Sequence, residues 1–262
     1  MGSAPGSEKD GGTLTVLGCD GGYPGPGGAA SGYLIEASGV VVWLDSGPGT
    51  FANLQLVADP ARVDALILSH EHPDHRSDAD SFAVWLHEQP AAAPVAVYAP
   101  PGCRRRVYFG DDAVFSWHEV ESSQQVVISP RGGGAGVVCS FSATDHGPPT
   151  LAVRVDVAGA QGAGRAHSLG YSADTGPGWS PEELGPGIGL FLCEATYTRD
   201  HEGEARHLSG RQAGAMAAAA GIGRLVLTHR RPSIAEDALA AEADEAFGRP
   251  VHQAARGRVF AW

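Results

Sequence analysis

The sequence has little of the basic charge that a nucleic-acid-gripping surface needs. Its 262 residues carry 18 Lys and Arg against 30 Asp and Glu, a formal net charge of −12. A protein that holds long nucleic acid needs a basic face toward the phosphate backbone, so long nucleic acid is not the expected partner. Cysteine is sparse: Cys19, Cys103, Cys139 and Cys193 show no CxxC spacing, which fits reduced thiols in a cytoplasmic protein better than a disulfide framework. Long apolar runs are missing. The longest, residues 40–44 and 215–220, fall far short of the roughly 20 residues of a membrane span, and no basic start followed by an apolar segment marks a secretory signal. A GxxxxGK[ST] phosphate loop is also absent, so the Gly/Pro-rich stretch from Gly18 to Gly32 reads as a loop where backbone approaches something closely rather than as a nucleotide cradle.

What is present is the composition of a globular enzyme. Hydrophobic residues make up 43% and charged residues 18%, and the length suffices for a substantial core. Residues 1–12, rich in Gly and Ser, read as a flexible leader, and residues 13–262 as a single domain with no interdomain linker. Strands are expected over residues 13–17, 33–36, 40–45, 65–68, 94–98, 124–128, 136–141, 151–157, 166–171, 188–193, 224–227, 251–254 and 258–261. A Gly-rich hairpin precedes the strand at 166–171. Helices are expected over 51–58, 78–87, 101–108, from a Ser209 N-cap to about 220, and over 233–247. Many strands with helices interspersed in both halves predict an α/β protein of two sheets packed face to face with helices outside, an αββα layering.

The chain is organised around residues 66–75, where an apolar strand empties into Ser69-His70-Glu71-His72-Pro73-Asp74-His75. His70 and His72, two apart in an extended loop, point to one side; Asp74 and His75 can turn toward a second point; Pro73 reads as closing the loop against a helix. Later strands end in His146, Asp174 and His229. Five imidazoles and two carboxylates suffice for two divalent metals with one carboxylate shared, Zn²⁺ first, with Mn²⁺ or Fe also suited. A water shared by two cations about 3.5–4 Å apart loses a proton near neutral pH and becomes a nucleophile. Asp45, also at a strand end, is read either as the cap of the next helix or as a carboxylate orienting a ligating imidazole. Arg104, Arg105 and Arg106 read as solvated surface, as does His87, and His118, His167, His201 and His252 as structural or solvent-facing. Cys19 is either a site residue or a buried thiol, and whether Arg230 or Arg231 meets a substrate phosphate is open.

Residues 69–75 resemble the HxHxDH signature of the metallo-β-lactamase superfamily, and the later His, Asp and His follow in that superfamily's order; the resemblance runs from Thr13 to Trp262. The pairing of Cys193-Glu194-Ala195-Thr196 with His207-Leu208-Ser209 resembles the branch holding ribonuclease Z and class II-like cyclic-nucleotide phosphodiesterases. With Leu17-Gly18-Cys19, residues 30–34 and residues 227–229, it resembles an actinobacterial group of atypical cyclic-nucleotide phosphodiesterases. The resemblance implies a four-layer αββα metallo-β-lactamase sandwich. It implies one metal on His70, His72 and His146, another on Asp74, His75 and His229, and Asp174 bridging them. By the same resemblance His207 protonates or stabilises the leaving alkoxide and Glu194 orients His207; on chemical grounds Asp74 is also a candidate acceptor for a proton of the attacking water.

Ribonuclease Z carries a long tRNA-holding arm between its equivalents of His146 and Asp174; here 27 residues separate the two. A small phosphodiester, 3′,5′-cyclic AMP first, is therefore the expected substrate, hydrolysed to the 5′-monophosphate. The alternatives are a ribonuclease Z-like nuclease without the arm, a metal-dependent ester, lactone or β-lactam hydrolase, and a non-catalytic nucleotide binder. A homodimer is an expectation of the family.

Overall fold

The computed structural model describes residues 11–89, 93–157 and 168–262. The leader expected over residues 1–12 thus lies almost wholly outside the described residues, as do the Gly-rich hairpin before residue 168 and His167. Two mixed seven-stranded sheets pack face to face. The first is formed by β1 (Thr13–Gly18), β2 (Gly32–Ala37), β3 (Val40–Ser46), β4 (Ala65–Ile67), β5 (Val95–Ala99), β6 (Phe115–Glu119) and, from the chain end, β14 (Val259–Ala261), in the order β14-β1-β2-β3-β4-β5-β6. The second is formed by β7 (Gln125–Ile128), β8 (Val137–Ala143), β9 (Leu151–Val157), β10 (Ser168–Tyr171), β11 (Leu190–Glu194), β12 (Arg224–Thr228) and β13 (His252–Gln253), in the order β13-β12-β11-β10-β9-β8-β7.

Each sheet is antiparallel on one side and parallel on the other: β3 to β6 run parallel, as do β10 to β13. Parallel neighbours cannot be joined by tight hairpins, and helical crossovers supply most of the connections. In the first half these are α1 (Thr50–Val57), α2 (Pro73–Arg76) and α3 (Asp78–His87); in the second, α4 (Gly210–Ala219) and α5 (Glu236–Phe247). With both faces covered, the inner strands are near-continuous apolar runs. In β3, Val42 and Leu44 face the opposite sheet while Val41 and Trp43 face α1 and α3. In β11, Leu190 and Leu192 face inward while Phe191 and Cys193 pack under α4 and α5. Three cores result, one between the sheets and one under each helical layer, which is the αββα layering.

Four local features differ from the sequence reading. Strand β6 was not anticipated, because an edge strand with Ser116, His118 and Glu119 exposed lacks a buried-strand signature. Residues 101–108 hold only a 3-10 turn, Cys103–Arg106. Helix α5 starts at Glu236, after the turn at Arg231–Ile234. Pro73 does not prevent a helix but occupies the first turn of α2, where a missing N–H costs nothing. Helix α4 begins as expected, with Ser209 and Gln212 forming a reciprocal capping box. Among the described residues no helix is long and apolar enough to cross a membrane.

The sheets are joined by polar as well as apolar contacts. Tyr33 of β2 and Thr228 of β12, both buried, share a 2.6 Å hydrogen bond across the sandwich, and the Tyr33 and Tyr171 rings lie 5.4 Å apart. Removing one partner strands the other in an apolar core at a cost of about 1–3 kcal/mol. Tyr33→Phe is therefore expected to lower the unfolding free energy by that amount in urea titrations. Tyr33→Phe with Thr228→Val should cost less than the two single changes added; strict additivity would contradict the cross-sheet bond.

Candidate metal centre

Strand ends of both sheets deliver their polar residues to one rim. After β4, the backbone of residues 68–70 is held from both sides, Leu68 N–H donating to Tyr98 O (2.9 Å) and Leu151 N–H to Ser69 O (3.0 Å). The chain stays extended through His72 (φ −66°, ψ 146°) and then turns into α2. This switch divides the motif: His70 and His72 precede the helical turn, whereas Asp74 and His75 lie within it. Three other strand ends leave through left-handed backbone at non-glycine residues, Asp45 (φ 54°), Ala173 (φ 51°) and His229 (φ 56°). Such conformations cost on the order of 1–3 kcal/mol each and persist where surrounding structure enforces them.

The seven residues fall into two groups. In the first, His72 Nδ1 lies 3.0 Å from His70 Nε2 and 3.3 Å from His146 Nε2, and Asp174 Oδ2 lies 3.5 Å from His70 Nε2 and 3.8 Å from His146 Nε2. In the second, His229 Nε2 lies 3.2 Å from Asp74 Oδ2 and 3.3 Å from Asp174 Oδ1, and His75 Nε2 lies 3.6 Å and 3.2 Å from the same two oxygens. Asp174 thus turns one oxygen to each group. Ligands about 2.0–2.1 Å from a tetrahedral cation stand roughly 3.4 Å apart, and these separations bracket that value. His75 Nε2 and Asp174 Oδ1 are buried without any hydrogen-bond partner among the described residues, a costly arrangement unless a cation faces them. The residues fit two divalent ions.

Hydrogen bonds on the far side of each ring assign the tautomers. His75 Nδ1 donates to Asp45 Oδ2 (2.8 Å), His229 Nδ1 to Thr196 Oγ1 (2.8 Å), His146 Nδ1 to Arg206 O (3.1 Å) and His70 Nδ1 to Ser69 Oγ (3.0 Å). Each leaves an Nε2 lone pair facing inward. Of the two readings for Asp45, orienting an imidazole is the one realised: the cap position of α1 is Gly49, while Asp45 also accepts from Ser69 N–H, Ser69 Oγ and Tyr171 Oη. Burial lowers the His70 pKa, and the positive neighbours lower it further; burial likewise lowers His72. At His75 burial acts downward, but Asp174 and Asp45 override it and raise the pKa well above the ordinary value. The field that would keep a proton at His75 Nε2 equally favours a cation there. Burial acts to raise Asp174 and Asp74, yet the surrounding imidazoles hold both below the usual carboxylate range.

Glu194 and His207 sit beside the two groups. Glu194 is fully buried and accepts four hydrogen bonds, from Thr175 N–H (2.6 Å) and His207 Nδ1 (3.0 Å) on Oε1, and from Thr196 Oγ1 (2.6 Å) and Leu208 N–H (3.2 Å) on Oε2. The His207 ring lies 5.1 Å from His146 and is stacked 5.4 Å from His229. Burial acts to lower its pKa, but the charge and hydrogen bond of Glu194 raise it to about 9.

The supporting residues Ser69, Tyr171 and Thr196 carried no assigned role in the sequence. Their signal is adjacency: Ser69 precedes the first histidine, Tyr171 ends a strand, and Thr196 lies two residues beyond Glu194. The glycine loop also has a specific contact. Gly22 N–H donates to Asp74 Oδ2 (2.7 Å), and a Cβ on Gly21 would stand 2.3 Å from the His229 carbonyl oxygen and 2.8 Å from its Nδ1. Cys19, half-buried, donates its thiol to Ala254 O (3.4 Å), and desolvation pushes the thiol up to about 12. His87, His118, His201 and His252 join neither group; His118 stacks on Tyr98 and His252 lies against Phe260. Arg104 pairs with Asp112, and Arg106 with Glu71.

Asp45→Asn removes the charge behind His75 while keeping its size. Competition against a chromophoric chelator should show zinc affinity at one site falling about 10- to 100-fold; wild-type affinity at every site would contradict the orienting role.

A sequence profile for the beta-lactamase superfamily domain matches residues 41–230. The uncharacterized protein Rv1339 of Mycobacterium tuberculosis is 36% identical over 255 residues, 91% of this chain and 88% of its own. YhfI of Bacillus subtilis, described as a probable metallo-hydrolase, is 26% identical over 261 residues, 95% of this chain and 98% of YhfI. Its crystal structure superposes with a TM-score of 0.82 at 24% identity, covering 95% of this chain and 99% of that one. Ribonuclease Z of Mycobacterium marinum is 29% identical over 249 residues, 84% of this chain and 87% of that enzyme. The chain belongs to the metallo-β-lactamase superfamily and is a metallo-hydrolase of that fold.

Proposed function

We propose that the protein is a dinuclear-metal phosphodiesterase that opens 3′,5′-cyclic nucleotides, cyclic AMP first, to the 5′-monophosphate. The observation that carries this reading is the His207–Glu194 pair set beside both donor groups. Expelling a sugar O3′ alkoxide is slow without a proton donor, and a histidine paired with a carboxylate supplies one. His70, His72 and His146 would hold one divalent cation, Asp74, His75 and His229 the other, and Asp174 both, with Zn²⁺ first and Mn²⁺ or Fe also suited. When bound, such ions activate a water and neutralise charge on the phosphoryl oxygens.

The chain's own residues do the rest. Glu194 Oε1 holds the proton on His207 Nδ1 and keeps the ring charged, so that Nε2 can donate to the departing oxygen. Asp74 enters as a ligand and as an acceptor for the proton of the attacking water, its Oδ2 also receiving the Gly22 N–H. Net charge of −12 and the 27 residues between His146 and Asp174 favour a compact substrate over tRNA. The 29% identity to a protein named ribonuclease Z favours a second reading, cleavage of short RNA. A 3′-extended oligonucleotide assayed beside cyclic AMP separates the two.

Zinc- or manganese-loaded protein is expected to convert cyclic AMP to AMP, with chelator abolishing the activity; turnover of no cyclic mononucleotide would sink the proposal. His207→Ala should lower kcat for cyclic AMP by about 10²–10⁴-fold. It should slow bis(p-nitrophenyl) phosphate far less, because nitrophenolate leaves without a proton. Equal losses on both substrates would remove His207 as the proton donor. His207 donates only while protonated, so activity falls as pH rises through about 9. Since Glu194 is what raises that pKa, Glu194→Gln should move the alkaline limb of the kcat profile to lower pH, toward 6.5; an unmoved or raised limb would contradict the pairing.

A further inference from the structure

Two arginines follow His229 directly, and the structure separates their roles. The Arg230 guanidinium is occupied within the protein. It donates to the carbonyl oxygens of Ile234 and Arg231 and to Glu236 Oε1 (3.1 Å), tying down the turn into α5. Its backbone is held as well, Arg230 N–H donating to Cys19 O (3.2 Å) and Gly21 N–H to Arg230 O (2.9 Å).

Arg231 is exposed, and among the described residues no carboxylate or carbonyl accepts from its guanidinium. It is not loose, because its Cζ stands 5.0 Å from the centre of the Tyr197 ring, within the range of a cation–π contact. That ring is buried, and it lies 6.0 Å from the His207 ring in an edge-on arrangement. Tyr197 is also tied to the segment carrying His207. Its N–H donates to Leu208 O (3.1 Å), and its carbonyl accepts from Gly210 N–H (3.0 Å). A permanent cation with its donors unspent is thus parked one ring away from the proton-donating histidine. An arginine stacked on an aromatic face keeps its planar fork free for a phosphate and loses less freedom on binding than a lysine would.

We propose that Arg231, steadied by Tyr197, binds the phosphate anion of the substrate on the His207 side of the site. This inference rests on the phosphodiesterase reading and deepens it by naming a phosphate-gripping residue that is not one of the seven candidate ligands.

The test compares wild type, Arg231→Ala and Arg231→Lys, each with its zinc content measured. KM for cyclic AMP and the Kd of the product AMP are read at several salt concentrations. Arg231→Ala is expected to raise both constants by about 10- to 100-fold, the usual worth of a hydrogen bond to a charged group, with zinc content unchanged and kcat altered less than KM. The dependence of AMP binding on salt should flatten, and millimolar guanidinium should restore part of the affinity. Arg231→Lys should recover only part of it. KM and Kd within twofold of wild type in Arg231→Ala would overturn the proposal, as would loss of zinc to the same degree as loss of affinity. If wild type hydrolyses no cyclic nucleotide, the phosphodiesterase reading fails by itself. Bis(p-nitrophenyl) phosphate, a diester monoanion, then still judges Arg231 through the same KM comparison.

Discussion

Asp174 is the point on which the centre depends. It is almost fully buried, one carboxylate oxygen faces His70 and His146, and the other faces His75 and His229. Buried charge of this kind is tolerated only when it is paired or coordinates a cation. Here the partners are imidazoles whose outer nitrogens are already committed to Asp45, Thr196, Arg206 and Ser69. Only lone pairs and carboxylate oxygens remain to face inward, and a set of acceptors with no donors among them is stable only around positive charge.

Much of the fold serves to deliver those atoms to one rim. Parallel strand ends from both sheets reach it, and left-handed backbone at Asp45, Ala173 and His229 turns the chain sharply there. Tyr171 couples the two halves: its hydroxyl in the second sheet donates to Asp45 in the first, and Asp45 in turn holds His75. Thr196 does similar work on the opposite side. It links Glu194, which positions His207, to His229, which faces the second donor group. The candidate proton donor and the candidate metal ligands therefore share one hydrogen-bonded frame.

The site was legible in the sequence because its chemistry is written in rare residue types at strand ends. Histidine after an apolar run, repeated at His70, His146 and His229, survives any uncertainty in strand boundaries. The layering was legible for a related reason, since strands covered on both faces are apolar throughout. The assignment of His70 and His72 to one group, and of Asp74 and His75 to the other, was expected from their spacing and from the resemblance; what was not read is that a helical turn starting at Pro73 makes it, a residue that sequence rules more readily take for a stop. Asp45 offered two equally sensible roles until its neighbours in space were known. Strand β6, half exposed at a sheet edge, offers only the short alternation of Phe115 and Trp117 with Ser116 and His118. Arg230 and Arg231 are identical in type and adjacent in sequence; only the acceptors around Arg230 and the Tyr197 ring under Arg231 tell them apart.

The central claim is that two cations share Asp174, and counting bound zinc by native mass spectrometry tests it most directly. Wild-type protein purified with excess zinc should carry two ions per chain. Asp174→Ala should lose the second ion and hold the first more weakly. A wild type that binds only one zinc ion, or an Asp174→Ala variant that keeps two at undiminished affinity, would contradict the account.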